Sequence, residues 1–479
     1  MIPLTVDPDR AEPAYRQVYG QLRAAILSGE LPPGSRLPPT RDLARAGGVA
    51  RVTIVQAYRQ LEAEGFIESR VGAGTFVAVA VAAAPADARL PFHPPLTEWG
   101  RRAVAVGRAA RPAEGGRAEI DFGLGRSFAE QFPYDVWRRL LARYLSTDDA
   151  MLSRYGSPAG FLPLRQAVAD YLRRARGVRC ATEQVVIVSG AQQALDILAR
   201  LLLNPGDEVV VETPGYRDAF TLFQLHGARL VGLPVDDQGL PVDRIPADCR
   251  ARLAFVTPTH QFPRGGTMPL ARRVALLGWA RTREALVVED DYDGDLRYDG
   301  HSLAALQGVD SDGRVAYLGT FSKVLFPALR LGYLVLPPPL VMPFVRAKDL
   351  VDRGAPTLTQ AAVADFLAEG HFERHLRHLR RLYGQRRATL AAALAARLGE
   401  RVHFSPVAAG LHVMLFLEPE IEEARLVAEA AARGVRVYPG APYHLERPAP
   451  PSILLGFSGL NDEEIVEGVR RLSEVWPPP

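Results

Sequence analysis

The sequence predicts two folded regions of different class, an N-terminal α+β winged helix-turn-helix and a larger α/β region with a mostly parallel sheet. In residues 13–77, apolar side chains recur at helical spacing, and a glycine-centred hairpin pattern follows them. From about residue 119, short apolar strands alternate with amphipathic helices, which is typical of an α/β domain. After about residue 345 the chain is helix-rich with a few short strands, which predicts a smaller α+β subdomain.

The composition fits several soluble domains in one chain. The 479 residues are 48% hydrophobic and 23% charged, which excludes a disordered or collagen-like chain, and the net charge of +3 favours no partner. Cys180 and Cys249 are too few and too distant for a metal framework or a disulfide scaffold, so we expect no metal and a cytoplasmic location. The apolar stretch 76–86 is about half of the ~20 residues that a membrane span needs, and no targeting signal is visible.

The winged helix-turn-helix follows from local signals. Val18, Leu22 and Ile26 give one apolar face to a first helix that stops at Gly29. Thr40 is expected to cap a short second helix. The remaining predicted elements are a third helix over 50–65 and two strands at 66–67 and 75–77 that flank the glycine turn 72–74.

The rest of the chain is predicted to be a linker and a two-part α/β region. Residues 79–118 are rich in Ala, Pro, Gly and Arg, which indicates a tether that can contain a short helix at 99–105. The predicted domains are therefore 1–78, the linker 79–118, and 119–479 with subdomains of about 160–345 and 346–479. Seven strands are predicted for the large sheet, at 185–188, 209–212, 230–234, 253–256, 286–289, 315–318 and 331–336.

The third helix offers residues suited to reading DNA. The second helix of such a motif places its N-terminal residues in the major groove, and here these include Arg51 and Thr53. Arginine can donate two hydrogen bonds to guanine, and Thr53 can reach a base or a phosphate. Arg41 begins the preceding helix, and Gly72 lets the wing approach the sugar-phosphate backbone. Residues 1–77 carry nine Arg against eight acidic residues, so a protein-protein module is an open alternative.

Five short segments of the N-terminal region resemble the DNA-binding domain of GntR-type bacterial regulators. The resemblance covers about 65 residues and implies binding of double-stranded operator DNA. Pro39 and Ala50 stand where such domains often carry Ser, so one or two hydroxyl contacts to phosphate are missing here. The segments are 13–17, 25–29, 33–38, 63–65 and 72–77.

Only two of the 57 basic residues are lysines, Lys323 and Lys348. Lys323 follows a predicted strand directly, so it is expected at a strand's carboxyl end, where open α/β sheets bind ligands. A lysine there can form a Schiff base if the site also supplies a phosphate cradle, an acid for a ring nitrogen and a ring-stacking side chain. Lys348 lies in a helical run without such surroundings, so we expect it to be a solvated surface residue.

The sequence supplies each of these parts, although each part alone has an ordinary structural explanation. Ala191 and Gln192 open a helix directly after a strand, where free N–H groups favour a phosphate. Asp290 can protonate a pyridine nitrogen, and Tyr292 can donate to a phenolic oxygen. Tyr216 can stack on the ring. Further hydroxyl and guanidinium contacts to the phosphate are predicted for Thr320, Ser322 and Arg330.

Residues 119–479 resemble fold-type I aminotransferases, which implies pyridoxal 5'-phosphate (PLP) bound to Lys323 as an internal aldimine. The resemblance implies that Tyr155 reaches a phosphate in the partner subunit of a homodimer. The Asn of the aminotransferase Asn-Pro-x-Gly motif is absent and Phe262 aligns with it, so His260 or Gln261 would contact the cofactor oxygen. His260 can equally be a packed core histidine.

A second departure concerns the substrate carboxylate. Aminotransferases of this type commonly hold it with an Arg in an Arg-Leu-Gly-Phe-like stretch, and Leu454 occupies that position here. This loss predicts weak amino-acid binding and at most residual transamination, with no catalytic residue assigned. PLP itself, and hence vitamin B6 metabolism, is then a candidate effector. An amino acid held by another arginine, such as Arg217 or Arg447, stays open.

The order of the two resemblances is that of the MocR family of bacterial transcription regulators. Segments 260–263 and 289–293 are similar to that family's variants of the aminotransferase motifs. Membership implies a PLP-dependent regulator that forms a homodimer, domain-swapped by family precedent, and does not act on a membrane. The alternative is an active PLP-dependent aminotransferase with an accessory DNA-binding domain.

Overall fold

In the computed structural model the chain forms two compact units, 1–96 and 97–479. The two units are described separately below. No helix among the described residues is long and apolar enough to cross a bilayer. The structure describes residues 4–79, 95–106, 119–125, 131–146, 153–298, 302–404, 408–446 and 448–476.

The first unit is the predicted winged helix-turn-helix. Its core is formed by one face of each helix and by the first and last residues of the hairpin, including Val18, Ile54 and Leu61, which are fully buried. The strands are antiparallel, with Ile67 opposite Val77. The elements are α1 (Ala14–Ser28), α2 (Thr40–Ala46), α3 (Arg51–Ala63), β1 (Ile67–Arg70) and β2 (Gly74–Val77).

The prediction that Thr40 caps the second helix is wrong. Pro39 occupies the cap position of α2, and Thr40 is the first helical residue, with no side-chain cap. The Thr40 hydroxyl instead accepts a hydrogen bond from Arg51 Nε at 3.4 Å. Ala50 caps α3, also without a side-chain contact. The two positions where related domains often carry Ser are thus both helix starts that lack a capping side chain.

The second unit contains the remaining helices and strands. The short helix expected near 99–105 is present as α4, and it packs against α8. The helices are α4 (Glu98–Ala105), α5 (Tyr134–Ser146), α6 (Leu162–Ala175), α7 (Ala191–Leu202), α8 (Arg217–Leu225), α9 (Leu270–Arg283), α10 (Pro338–Asp352), α11 (Thr357–Ala368), α12 (His371–Leu398), α13 (Glu423–Ala432) and α14 (Asp462–Val475). The strands are β3 (Ile120–Asp121), β4 (Val185–Val188), β5 (Glu208–Thr213), β6 (Arg229–Pro234), β7 (Leu253–Val256), β8 (Leu286–Asp291), β9 (Val315–Thr320), β10 (Gly332–Val335), β11 (His403–Phe404), β12 (His412–Phe416), β13 (Val435–Arg436), β14 (Tyr438–Pro439) and β15 (Ser452–Gly456).

Within the described residues, the second unit is built on a seven-stranded sheet of order β4-β10-β9-β8-β7-β5-β6. The strands β5 to β9 pair in parallel, and β10 is antiparallel to both neighbours. Both faces are covered, since Val185 and Ile187 of β4 join one apolar cluster while Val186 and Val188 join another. Such two-sided burial explains why these strands are continuous apolar runs in the sequence. All seven predicted strands are confirmed.

The smaller subdomain has its own antiparallel sheet, of order β11-β12-β15-β14, with α12, α13 and α14 nearby. The helix α14 begins with a complete capping box, in which Asn461 and Glu464 each accept the other's backbone N–H. The few short strands and the helices that the sequence predicts after about residue 345 are thereby confirmed.

A buried ion pair fixes the carboxyl end of β8. Arg176, 2% exposed, donates from Nε and Nη2 to Asp291 Oδ2 at 2.9 and 2.7 Å. The same guanidinium donates to Thr259 Oγ1 and to the carbonyl oxygen of Gly294, and Tyr317 donates to Asp291 Oδ2 at 2.6 Å. Arg176 thereby ties the turn after α6 to the loops that follow β7 and β8.

We expect Arg176→Met to lower the free energy of unfolding of the second unit by about 3–5 kcal/mol, because it leaves the buried Asp291 carboxylate without its cation. Urea denaturation followed by circular dichroism measures this. The matched control is Arg174→Met, whose side chain is 65% exposed and pairs with Glu373 at 3.3 Å; we expect its effect to stay below about 1 kcal/mol. Equal effects of the two substitutions would contradict the assigned role of the pair.

Candidate cofactor site

The candidate site lies at the carboxyl ends of the parallel strands. The loops after β5, β7, β8 and β9 and the N-terminus of α7 meet there, because the carboxyl ends of parallel strands share one edge of the sheet. Several residues that were predicted to contact the cofactor lie in these loops: Tyr216, His260, Tyr292 and Lys323.

Lys323 lies three residues beyond β9, in a loop held at both ends. Phe321 N–H donates to the carbonyl oxygen of Leu331 at 3.1 Å, and Ser322 N–H donates to Thr320 Oγ1 at 3.1 Å. A Cβ placed on Gly125, whose φ is +66°, would overlap Lys323 Nζ, so only glycine leaves room for the amine there. Burial lowers the pKa of Lys323, opposed by Asp293 and Asp290. A larger neutral fraction makes the amine a better nucleophile.

Two carboxylates flank the lysine. Asp290 is the next-to-last residue of β8 and is 7% exposed, and among the described residues its carboxylate has no hydrogen-bond donor. Burial, aided by Asp291 and Asp293, raises the pKa of Asp290 to about 7, while Lys323 lowers it. A buried carboxylate in this condition is suited to a cationic partner such as a protonated ring nitrogen. Asp293, which the sequence reasoning did not single out, is the larger of the two charges that raise the lysine's pKa.

The start of α7 forms a cradle of backbone N–H groups. Gly190 caps the helix at φ +100°, and Arg330 Nη2 lies 3.1 Å from the position that a Cβ on Gly190 would take. Arg330 is exposed, adopts a left-handed conformation, and donates to the carbonyl oxygen of Ser189 at 3.1 Å. The first turn of α7, with Ala191 and Gln192, therefore presents free N–H groups beside a guanidinium, which favours a phosphate.

Aromatic rings line the site around Phe262. Its ring makes edge contacts with Tyr216 at 6.0 Å and with Tyr292 at 5.6 Å between centroids. Tyr443, from the smaller subdomain, lies at 5.4 Å. Gln192 Nε2 donates to the Tyr216 hydroxyl at 3.1 Å, which links the ring to the phosphate cradle. Phe262 thus occupies the place of the missing Asn as an apolar packing residue.

The structure separates the two residues that were expected to replace that Asn. The Gln261 side chain donates to the carbonyl oxygens of Pro214 and Phe262 and accepts from Arg264 N–H, so both of its polar atoms are hydrogen-bonded within the protein. His260, 2% exposed, places Nδ1 at 2.8 Å from Asp293 Oδ2 and 2.9 Å from the Tyr292 hydroxyl. His260 Nε2 is buried, with no hydrogen-bond partner among the described residues. Of the two, His260 therefore has a nitrogen free for a cofactor.

The prediction that Lys348 is a solvated surface residue is wrong. Its side chain is fully buried, and Nζ donates to both carboxylate oxygens of Asp352 at 2.9 Å. The residue lies one helical turn after the buried Phe344, on the face of α10 that packs toward α7. Spacing was the available signal, since Lys348 follows Phe344 by four residues and precedes Asp352 by four.

The remaining residues that were predicted to contact a ligand differ in their exposure. Tyr155 is 92% exposed, as expected for a residue that serves another subunit. Arg217 begins α8 with a 38% exposed side chain. Burial raises the pKa of Tyr443 to about 12 and Arg217 opposes this rise, so the guanidinium lies near Tyr443. Leu454 is fully buried in β15, opposite Met414 of β12 and Tyr438 of β14. Arg447 lies outside the described residues.

The predicted DNA-reading residues share one region of the first unit. Arg41 and Arg51, at the starts of α2 and α3, are exposed, and Arg51 contacts the start of α2 through Thr40. Thr53 is half-buried one turn into α3. Gly72 is exposed in the hairpin turn with φ +75°, a conformation that glycine adopts without strain.

The residues present fit PLP. The site combines a half-buried lysine, an acid without a donor, a helix start beside an arginine, and a tyrosine ring. These match the aldehyde, the ring nitrogen, the phosphate and the ring face of that molecule. The unpartnered His260 Nε2 adds a buried polar atom that a ligand would satisfy.

Comparison with known proteins agrees with both units. Residues 14–77 match the gntR family of bacterial regulatory proteins, and residues 120–472 match the aminotransferase class I and II family. The chain is 39% identical over 479 residues to the probable rhizopine catabolism regulatory protein MocR of Rhizobium meliloti, covering 99% of this chain and 96% of the relative. It is 31% identical over 470 residues to the pyridoxine biosynthesis transcriptional regulator PdxR of Corynebacterium glutamicum, covering 98% and 97%.

A solved structure extends the agreement to three dimensions. The kynurenine aminotransferase of Pyrococcus horikoshii, crystallised in complex with PMP, aligns with a TM-score of 0.70 at 31% identity. The alignment covers 74% of this chain and 90% of the aminotransferase. The chain belongs to the MocR family of PLP-binding transcription regulators, in which a gntR-type winged helix precedes an aminotransferase class I and II domain.

Proposed function

We propose that PLP is the effector of this regulator as well as its cofactor, so that the genes it controls belong to vitamin B6 metabolism. The observation that carries the proposal is the contrast between two parts of the site. A lysine, an acid with no hydrogen-bond donor among the described residues, aromatic rings and a helix start beside an arginine lie at one edge of the sheet, whereas Leu454, fully buried in β15, stands where aminotransferases commonly carry the arginine for the substrate carboxylate. The pyridoxine biosynthesis regulator among the relatives supports the same assignment.

In this proposal each side chain has a defined task. Lys323 binds the cofactor covalently, Asp290 holds the ring nitrogen, and Tyr216 stacks on the ring. Tyr292 and His260 face the phenolic oxygen. The phosphate contacts are assigned to Ala191, Gln192, Thr320, Ser322 and Arg330, with Tyr155 reaching the site of a second subunit in a homodimer.

Binding then regulates DNA affinity through conformation. A ligand shifts an equilibrium only if it binds two conformations of the protein with different affinity. PLP would therefore favour one arrangement of the two DNA-reading units in the dimer, and its presence would change operator affinity. Since the target is chromosomal DNA, we place this activity in the cytoplasm.

A working aminotransferase is the second candidate, because Lys323, Asp290 and Tyr292 stand in the surroundings described above and the structural relatives are aminotransferases. It predicts sustained turnover of an amino donor and a keto acid at ordinary enzymatic rates. The regulator proposal predicts at most residual turnover, because Leu454 stands where the carboxylate-binding arginine is expected and its strand carries no other arginine.

The two lysines make the covalent assignment testable within one molecule. We expect borohydride reduction of the PLP-loaded protein to attach a phosphopyridoxyl group to the peptide that contains Lys323 and none to the peptide that contains Lys348. Mass spectrometry of the digest measures both. The variant Lys323→Ala should lose the visible absorption of the bound cofactor. Label on Lys348, or an unchanged spectrum in Lys323→Ala, would disprove the assignment.

The effector is tested on the DNA upstream of the protein's own gene, by mobility shift at one fixed salt concentration, since salt alone changes such affinities by orders of magnitude. We expect apo and PLP-loaded protein to differ in affinity or footprint, and Lys323→Ala to respond weakly to PLP. Common amino acids should leave the visible spectrum of the loaded protein unchanged. Equal binding by apo and loaded protein, with a spectral change on adding one amino acid, would reassign the effector to that amino acid.

The DNA-reading assignment predicts different effects along α3. We expect Arg51→Ala to cost about 1–3 kcal/mol of operator binding and to relax specificity at one base pair, as the loss of a guanine contact does. Arg59→Ala, an exposed arginine two turns further along the same helix, is the control and should change affinity less. Fluorescence anisotropy with operator and scrambled DNA measures both. Equal losses on both DNAs would assign Arg51 to phosphate contact instead.

A further inference from the structure

The buried ion pair of α10 lies directly behind the candidate phosphate cradle. Lys348 is fully buried, and both oxygens of Asp352 accept from its Nζ at 2.9 Å. Burial alone would raise the pKa of Asp352, but hydrogen bonds from Lys348, Gly354 and Gln193 bring it below its usual value. Asp352 sits one side chain, that of Gln193, away from the start of α7.

A continuous chain of hydrogen bonds joins this pair to the cradle. Gln193 Nε2 donates to Asp352 Oδ2 at 2.6 Å, and Gln193 Oε1 accepts from Ser189 N–H at 2.9 Å. On the other side of the same peptide segment, Arg330 Nη2 donates to the Ser189 carbonyl oxygen at 3.1 Å. Both backbone groups of Ser189 are thus held, one of them by the ion pair through Gln193. Ser189 precedes Gly190, whose geometry sets the direction of the first N–H groups of α7.

Burying the Lys348–Asp352 ion pair costs free energy that a packed apolar side chain at the same place would not. Desolvating two charges is expensive, and a well-packed apolar side chain in place of such a pair is often neutral or stabilising. The neighbouring Phe344 shows that this face of α10 accepts apolar side chains, since it is fully buried in the cluster shared with α7. The contacts made by Asp352 point instead to a task in holding Gln193.

Asp352 also holds Gly354, whose backbone lies close to the segment that carries Tyr155. Gly354 N–H donates to Asp352 Oδ1 at 2.8 Å. Gly354 has φ +110°, and a Cβ on it would lie 3.3 Å from the carbonyl oxygen of Ser157. One carboxylate therefore fixes the turn before α7 and the chain that packs on Ser157, two residues beyond Tyr155.

We propose that Lys348 and Asp352 are positioning residues for the cofactor's phosphate, acting through Gln193 on the Ser189–Gly190 turn. The proposal rests on the assignment of that turn to the phosphate, made above. Backbone donors bind an anion well only if they are held close to the productive geometry. Without the pair, Gln193 loses its anchor and the turn gains freedom that phosphate binding must then remove.

The test compares PLP with pyridoxal, which has the same aldehyde and ring but no phosphate. Affinities of the full-length protein for both are measured by absorbance titration. We expect Lys348→Met to weaken PLP binding about tenfold, the scale of one or two hydrogen bonds, and to leave pyridoxal binding unchanged. Gln193→Met should have the same selective effect. If Lys348→Met fails to fold, Gln193→Met carries the test alone.

Two controls separate positioning from general stability. Arg346→Met also removes a cation from α10, but from an exposed position, and should change neither affinity. The double variant Lys348→Met with Gln193→Met should lose no more PLP affinity than either single variant, because both break the same chain of contacts. Lys348→Arg, which keeps the charge, should recover part of the PLP affinity.

The outcomes are distinct. Equal losses for PLP and pyridoxal, no loss for either, or additive effects in the double variant would overturn the proposal and leave the pair a structural element. If the unmodified protein binds PLP no better than pyridoxal, the phosphate cradle itself is misassigned, and the failure belongs to the proposed function. A loss confined to PLP in both single variants would establish the positioning role.

Discussion

The architecture of the site depends on the burial of three consecutive carboxylates at the end of β8. Glu289, Asp290 and Asp291 are each at most 8% exposed, and burying carboxylates costs free energy unless they are paired or hydrogen-bonded. Because side chains alternate along a strand, Glu289 and Asp291 point away from Asp290. Glu289 accepts from the N–H groups of Leu306 and Gln307, and Asp291 pairs with Arg176. The two outer acids lock the strand end, and the middle acid is left to face the site.

Much of this could be predicted because the signals are local. The strands of the large sheet are continuous apolar runs, and Lys323 and Asp290 follow such runs directly, so their place at one edge follows from parallel topology. The partners of these groups could not be predicted in the same way. Arg176 reaches Asp291 across 115 residues, and Gly125 makes room for Lys323 from a segment outside the sheet. Such pairings depend on tertiary packing, which the local spacing of apolar residues in the sequence does not reveal.

The wrong prediction for Lys348 also shows that local sequence signals do not reveal tertiary contacts. A lysine in a helical run is usually solvated, and only the four-residue spacing to Phe344 and Asp352 hinted at a buried face. Lys348 donates to Asp352, and Asp352 in turn accepts a hydrogen bond from Gln193 of α7, which lies 159 positions earlier in the sequence. Similarly, His260 and Gln261 were equal candidates on the sequence, and they were distinguished only when the structure gave the Gln261 side chain four hydrogen bonds, with Glu212, Pro214, Phe262 and Arg264.

The smaller subdomain contributes to the site in a way that fits sensing better than turnover. His412 of β12 donates or accepts at the carbonyl oxygen of Pro263, 3.1 Å away, and Gly410 packs against the His260 ring so closely that a Cβ would overlap it. Along β15, Ile453 and Leu455 join the main apolar cluster, so Leu454 points to the opposite face, which on β12 carries His412. An arginine on that face could hold a carboxylate at the site. Under the proposal that PLP is the effector, the recognition groups described above would be directed at the ring, the phosphate and the aldehyde, all parts of the cofactor itself. The free energy that shifts the protein between conformations would then come from cofactor binding.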